Sequence, residues 1–173
     1  MPASGSVFLC GLSGSGKSTV APLLARLRNA ESFDTDRSVV DEAGMSIAEI
    51  FAREGEAGFR SREARAVARA CARRDCVVAL GGGALEDAET RAHVNASGTL
   101  VFLDAPADVL IARVRESREV RPLLAQPGAL EAMRQRRLPL FASAALTIVC
   151  GTRPPDAIAR EIDRALRALE SPA

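Results

Sequence analysis

The chain has 173 residues, with 23 Lys and Arg against 22 Asp and Glu, and is 47% hydrophobic. That length suits one compact unit, residues 1–173, with its own core, and a net charge of +1 lacks the basic excess that nucleic acid or an anionic membrane surface demands. No apolar run approaches the roughly 20 residues of a membrane-spanning helix, no basic region precedes the short apolar run near the N-terminus, and four scattered cysteines with one histidine form neither a zinc pattern nor a disulfide framework, so a cytoplasmic protein with reduced, buried thiols is expected.

Along the chain, short apolar runs alternate with longer stretches of helical period, the pattern of a parallel sheet covered by helices on both faces. Ser6–Cys10 predicts the first strand. Directly after it, GLSGSGKS (Gly11–Ser18) fits G-x-x-x-x-G-K-[ST] and holds the only lysine in the sequence. Glycines let the backbone fold around phosphate oxygens with its N–H groups inward, at the positive end of the following helix. Lys17 is expected to reach the β- and γ-phosphates of a nucleotide and the Ser18 hydroxyl to ligate Mg²⁺. An ammonium works there as a compact point charge on a flexible stem, which a planar guanidinium does not reproduce. That explains one lysine among so many arginines. Pro22, about one turn into the helix, removes a hydrogen bond to Ser18 and predicts a kink or a wide first turn. Asn29 is the expected left-handed cap at the far end.

A weaker strand ends at Ser32-Phe33-Asp34. If that end is extended, Asp34 and Asp36 of FDTD point the same way, at the sheet edge where open α/β folds bind ligands. One could hold a water on the metal and the other accept the proton of an attacking hydroxyl; the competing reading is an Asp that merely caps a helix beginning near Ser38. Ser46 and Glu49 form a capping box that opens a helical region reaching about Arg74, with a turn suggested by Gly55 and Gly58. Cys76–Leu80 predicts a strand, and the GGGAL after it exposes backbone N–H groups to a closely approaching ligand, since a plain strand-to-helix turn needs one glycine. Further on come a strand at Thr99–Asp104, a helix after Pro106, an arginine-dense surface element at Arg113–Gly128 expected to be mobile, a helix at about Gly128–Arg137 and a strand at Leu146–Cys150. The closing helix is expected to be capped by Asp156, with Ile158, Ile162, Leu166 and Leu169 on one apolar face. Arg60, Arg62 and the run Arg134–Arg137 read equally well as solvated surface.

The phosphate loop, FDTD, SIAEIFAREGEAGFRSRE, LGGGAL, VRPLL and RRLPLF occur in the order and approximate spacing of shikimate kinases, and from about Ser6 to Arg164 the chain resembles that family. The resemblance implies a three-layer α/β fold of the nucleoside-monophosphate-kinase-like P-loop type: a parallel five-stranded sheet, a small substrate-binding insert at about 34–63 and a mobile lid at about 113–127. It implies transfer of the γ-phosphate of ATP to the 3-hydroxyl of shikimate, with Mg²⁺, by a monomer. Lys17, Asp36 and Arg121 would be catalytic; Gly14, Ser15, Gly16, Lys17, Ser18, Thr19, Arg121 and Arg153 would bind ATP; Ser18 and Asp34 would serve the metal. Asp36, Arg60, Gly81, Gly82, Gly83 and Arg137 would hold shikimate, with Glu63 orienting Arg60.

The sequence departs from the family at three places. Asn29 stands where the first helix usually ends in glycine, Phe141 where tyrosine is common, and Val114, between Arg113 and Arg115, where an arginine packing on adenine is expected. Two rival readings remain open at this level: a related kinase of another polyol acid such as gluconate, and a non-catalytic ATP-binding regulator. Asp36, Arg60 and Arg137 together speak against the first, and a retained acceptor-side acid with a lid arginine against the second.

Overall fold

The computed structural model describes residues 5–117 and 128–171. Five strands, β1 (Ser6–Cys10), β2 (Glu31–Asp34), β3 (Cys76–Ala79), β4 (Gly98–Asp104) and β5 (Leu146–Val149), form one parallel sheet in the order β2-β3-β1-β4-β5. β1 and β3 are buried at every position, as near-continuous apolar runs in a parallel sheet must be. The edge strand β2 is not, which is why its sequence signal is faint. Register is fixed on both sides of β1, with Phe8 opposite Val78 of β3 and Leu100 of β4.

The helices among the described residues are α1 (Lys17–Arg28), α2 (Thr35–Ala43), α3 (Ile47–Cys71), α4 (Ala88–Ser97), α5 (Ala107–Glu116), α6 (Ala129–Arg137) and α7 (Pro155–Glu170), with a 3₁₀ segment at Leu138–Ser143. Pro22 does not end α1: the helix runs through it, with the ring and the Ser18 end both exposed, so water can take the freed carbonyl. Asn29 closes α1 in the left-handed region, as expected. The Ser46–Glu49 capping box is formed in full, and α3 is broken once, at Gly55 (φ 71°, ψ −176°), while Gly58 stays inside the helix.

Three expectations need correction. Asp36 does not lie on extended backbone; α2 begins at Thr35, so Asp36 occupies its first turn and Asp34 is its cap, accepting from the Arg37 N–H at 3.1 Å. Asp156 does not cap α7 but sits in its first turn and pairs with Arg160. Leu169 leaves the α7 apolar face and is 59% exposed, whereas Ile158, Ile162 and Leu166 are buried against the sheet and α1. The four cysteines are free: Cys10, Cys76 and Cys150 are buried and Cys71 half-buried. Burial pushes the Cys10 thiol up to about 12 despite the nearby Lys17, so it stays protonated beside the phosphate loop.

The main apolar cluster spans the sheet and its flanking helices, but Val39, Ile50, Phe59 and Ala66 of α2 and α3 form a second, smaller cluster of their own. Phe51 packs against it, its ring tilted by 34° to that of Phe59 with centroids 4.9 Å apart. Ile162→Ala is expected to cost about 2–5 kcal/mol of unfolding free energy, the range for truncating a fully buried Ile, and Leu169→Ala less than about 0.5 kcal/mol. Urea denaturation of both variants checks the pair; equal losses would mean that the α7 register is wrong.

Candidate active site

The phosphate loop leaves β1 at its carboxyl end and turns through left-handed Gly14 (φ 85°) and Gly16 (φ 96°) into α1. α2, α3 and α4 each begin under a side-chain cap, from Asp34, Ser46 and Asp87. α1 begins under none, so its first amides keep their partial positive charge for an anion. They open on a cavity of about 390 Å³ lined by Ser13–Val20, Asp34, Asp36, Gly82, Arg113, Val114, Arg153 and Pro155 among others. Lys17 is buried there, and its Nζ donates to the Gly11 and Leu12 carbonyls at 2.8 and 3.0 Å. The ammonium is thus stored on the loop's own backbone, at the lining of the cavity.

Ser18 and Asp34, named separately as metal-side residues, are in direct contact: the Ser18 hydroxyl donates to Asp34 Oδ2 at 2.6 Å. Asp34 therefore serves two ends at once, one oxygen capping α2 and the other reaching the phosphate loop. Both are hard oxygen donors. Among the described residues no cluster of three or more acidic, His or Cys side chains offers a closed metal cage. Two oxygens facing a phosphate cradle suit Mg²⁺, which keeps most of its waters and takes its remaining ligands from substrate phosphates.

A second group of residues gathers around Gly81–Gly83. A Cβ at Gly81 would lie 2.6 Å from both Asp36 Oδ1 and Glu63 Oε1, and one at Gly83 would meet the Arg60 guanidinium and, at 2.9 Å, Arg137 Nη2. The glycines are there because side chains from three helices converge on their backbone. Thr35, fully buried between the two aspartates, accepts the Gly81 N–H at 2.8 Å and so ties the end of β2 to this loop. It was not singled out from the sequence, although its place inside FDTD was the available signal.

Arg60 and Arg137 are not solvated surface, whereas Arg136 is exposed. Arg137 is 3% exposed and Glu63 4% exposed. Arg60 donates to Glu63 at 2.6 Å and pairs with Glu56 at 3.3 Å; Arg137 Nε donates to Glu86 at 2.6 Å. Burial pushes the Glu63 carboxyl up, against the pull of Arg60. Burial also draws the Arg137 guanidinium below its ordinary value, with Glu86 opposing, while in Arg60 the effect of burial is outweighed by Glu63, Glu86 and Glu56 and the value rises. Two guanidiniums held over a glycine backbone form a fork for a carboxylate. Arg121 and most of the expected lid fall outside the described residues. Phe141 is buried and stacked on Phe102 at 4.8 Å, so the ring packs in the core where a tyrosine hydroxyl would have needed a partner.

The phosphate loop and the paired arginines lie at one sheet edge. A family model described as shikimate kinase matches residues 13–167. The chain belongs to the shikimate kinase family. A shikimate kinase of Symbiobacterium thermophilum is 43% identical over 152 residues, 86% of this chain and 87% of that protein. The solved structure of the Acinetobacter baumannii shikimate kinase in complex with shikimate superposes with a TM-score of 0.93 at 30% identity, over 97% of this chain and 96% of the other. A gluconokinase from Sinorhizobium meliloti shares the fold more distantly, with a TM-score of 0.61 at 20% identity over 98% and 95% of the two chains. As a shikimate kinase family member, the chain is an ATP-dependent kinase of a small molecule.

In this shikimate kinase family site, Gly83→Ala would place a methyl group against the flexible ends of two arginines rather than against backbone. It is expected to leave the melting temperature nearly unchanged but raise the KM for the acceptor about tenfold or more, because the guanidiniums are pushed off their seat. Thr35→Val leaves the buried Gly81 N–H unpaired and is expected to cost about 1–3 kcal/mol in chemical denaturation.

Proposed function

We propose that the chain transfers the γ-phosphate of ATP to the 3-hydroxyl of shikimate through the residues gathered at this cavity. The observation that carries the reading is the placement of Asp36: it lines the phosphate cavity with Lys17 and Ser18, and its Oδ1 lies against Gly81, the loop on which Arg60 and Arg137 converge. A compact ring acid seated with its carboxylate on the two arginines has its hydroxyls beside Asp36, between acceptor and donor.

Asp36 takes the proton of the attacking hydroxyl as that oxygen bonds to the γ-phosphorus and the bond to the β-phosphate oxygen breaks, leaving ADP. Lys17 leaves its loop carbonyls to hold the β- and γ-phosphates, and the α1 amides, with Gly14, Ser15, Gly16 and Thr19, cradle the rest. Ser18 and Asp34 would hold Mg²⁺, which when bound would supply positive charge to offset that of the phosphates. Glu63 orients Arg60, and Gly81–Gly83 contact the acid through backbone. Arg121 takes the transferring phosphate from the lid, a role that rests on the resemblance of VRPLL alone.

For adenine, the reading favours Arg113 over the exposed Arg115. Arg113 donates to the Gly14 carbonyl at 3.0 Å and to the Gly151 carbonyl at 2.6 Å, joining the phosphate loop to the turn before Arg153. Val114, Arg153 and Pro155 line the same end of the cavity. Segment 34–63, with its own small apolar cluster, is the substrate-binding insert and 113–127 the lid region. The enzyme is taken to act as a monomer, and free thiols suit the reducing cytoplasm.

The test is ADP release from Mg·ATP with shikimate, with gluconate and with no acceptor, using Lys17→Ala as blank. Turnover is expected with shikimate alone, and Asp36→Asn is expected to lose about 10²-fold or more in kcat while still binding ATP. Turnover with gluconate only would discard the acceptor, and ATP binding without any turnover would favour a regulator.

A further inference from the structure

Glu86 has no part in the reading above, yet it touches every arginine of the carboxylate fork. Its backbone is set by two successive turns after β3, Ala84 N–H to Gly81 O at 3.1 Å and Glu86 N–H to Gly83 O at 3.0 Å. The side chain therefore leaves the glycine loop at a fixed point. Oε1 accepts from Arg137 Nε at 2.6 Å and from Arg136 at 3.2 Å, and Oε2 lies 3.8 Å from Arg60 Nη2. Arg137 is thereby gripped by its Nε edge, while Nη1 and Nη2 stay over Gly82 and Gly83. A guanidinium has two edges that can take a carboxylate, and here the protein fills one of them.

Arg60 and Arg137 bring two positive charges into the fork, and Glu63 and Glu86 bring two negative ones. Arg136 and Glu56 are mostly exposed and count for less, and Asp36 lies against Gly81 at the other end of the glycine loop from Gly83, where the two guanidiniums meet. The buried part of the fork is close to neutral before any ligand arrives.

We propose that Glu86 is a specificity-determining residue for the acid substrate: a built-in counter-ion that lets Arg60 and Arg137 sit side by side, orients Arg137 through Nε, and holds down the affinity of the fork for carboxylates. This rests on shikimate as the acceptor. Neutrality makes the ring hydroxyl contacts at Asp36 decide binding, because a carboxylate alone gains little from a fork that already holds two.

Charge and orientation separate by substitution. Glu86→Gln keeps an oxygen acceptor for Arg137 Nε and removes the charge; Glu86→Asp keeps the charge. With one negative charge gone from beside an anionic ligand, Glu86→Gln is expected to lower the KM for shikimate about fivefold or more, with kcat and the KM for ATP held within about twofold. Calorimetric titration with cyclohexanecarboxylate, which has the ring and the carboxylate but no hydroxyls, is expected to show a larger gain, and Glu86→Asp is expected to stay near the wild type in both. A KM that is unchanged or raised in Glu86→Gln, or cyclohexanecarboxylate binding that is equal in, or absent from, both proteins, overturns the proposal. If the wild type does not turn over shikimate, the acceptor assignment fails instead, and the carboxylate titration, which needs no turnover, still decides Glu86. Should Glu86→Gln not fold, the same titration is made with Glu86→Thr, which also removes the charge: tighter cyclohexanecarboxylate binding than in the wild type supports the role, and equal or weaker binding overturns it.

Discussion

A buried strand hydrogen-bonded on both sides is the constraint on which the active site depends. β1 is held by β3 and β4, is buried throughout, and ends where the phosphate loop begins, so the loop has a fixed origin and direction. Each of the other functional segments starts from a neighbouring strand end: Asp34 and Asp36 from β2, the glycine loop from β3. Parallel pairing sends all these ends to one edge. The chemistry is brought together by register, before any side chain of the site makes a contact.

At that edge the site is held by residues with two jobs. Asp34 caps a helix and reaches Ser18; Thr35 fills the space under the glycine loop and satisfies its amide; Arg113 joins the phosphate loop to the turn after β5. Such sharing makes the edge rigid with few residues, because moving one group disturbs two elements. The small apolar cluster of α2 and α3 works the other way. It gives the acceptor side a core distinct from the one under the nucleotide, with a break at Gly55 inside α3. One half of the site rests on the sheet and the other on a separately packed flap of helices.

Much of this is legible in the sequence because burial in a parallel sheet leaves near-continuous apolar runs, and because glycines, caps and a lone lysine have local physical reasons. Where those reasons are weak, the sequence is silent. α4 buries only Val94 and has no readable stripe. Asp34 has the residue type of a cap and of a metal-side acid, and in the fold it caps α2 while its other oxygen accepts from Ser18. The arginines at positions 60 and 137 could not be told from surface charge, since what buries them is packed against them only in three dimensions: Glu86 lies 51 residues from Arg137, and Thr35 lies 46 from Gly81. The ordered set of motifs named the family where single motifs could not.

The storage of Lys17 on the Gly11 and Leu12 carbonyls has a use outside catalysis. Apart from the α-amino group, it is the one primary amine in the chain, and it lies at the floor of the nucleotide cavity. Acylating reagents that decorate most proteins at many surface lysines have a single side-chain target here, and a bound nucleotide covers it. The extent of acylation at Lys17, read apart from the α-amino group, therefore reports vacant nucleotide sites, and the protein arrives with its active-site titration already built into its composition.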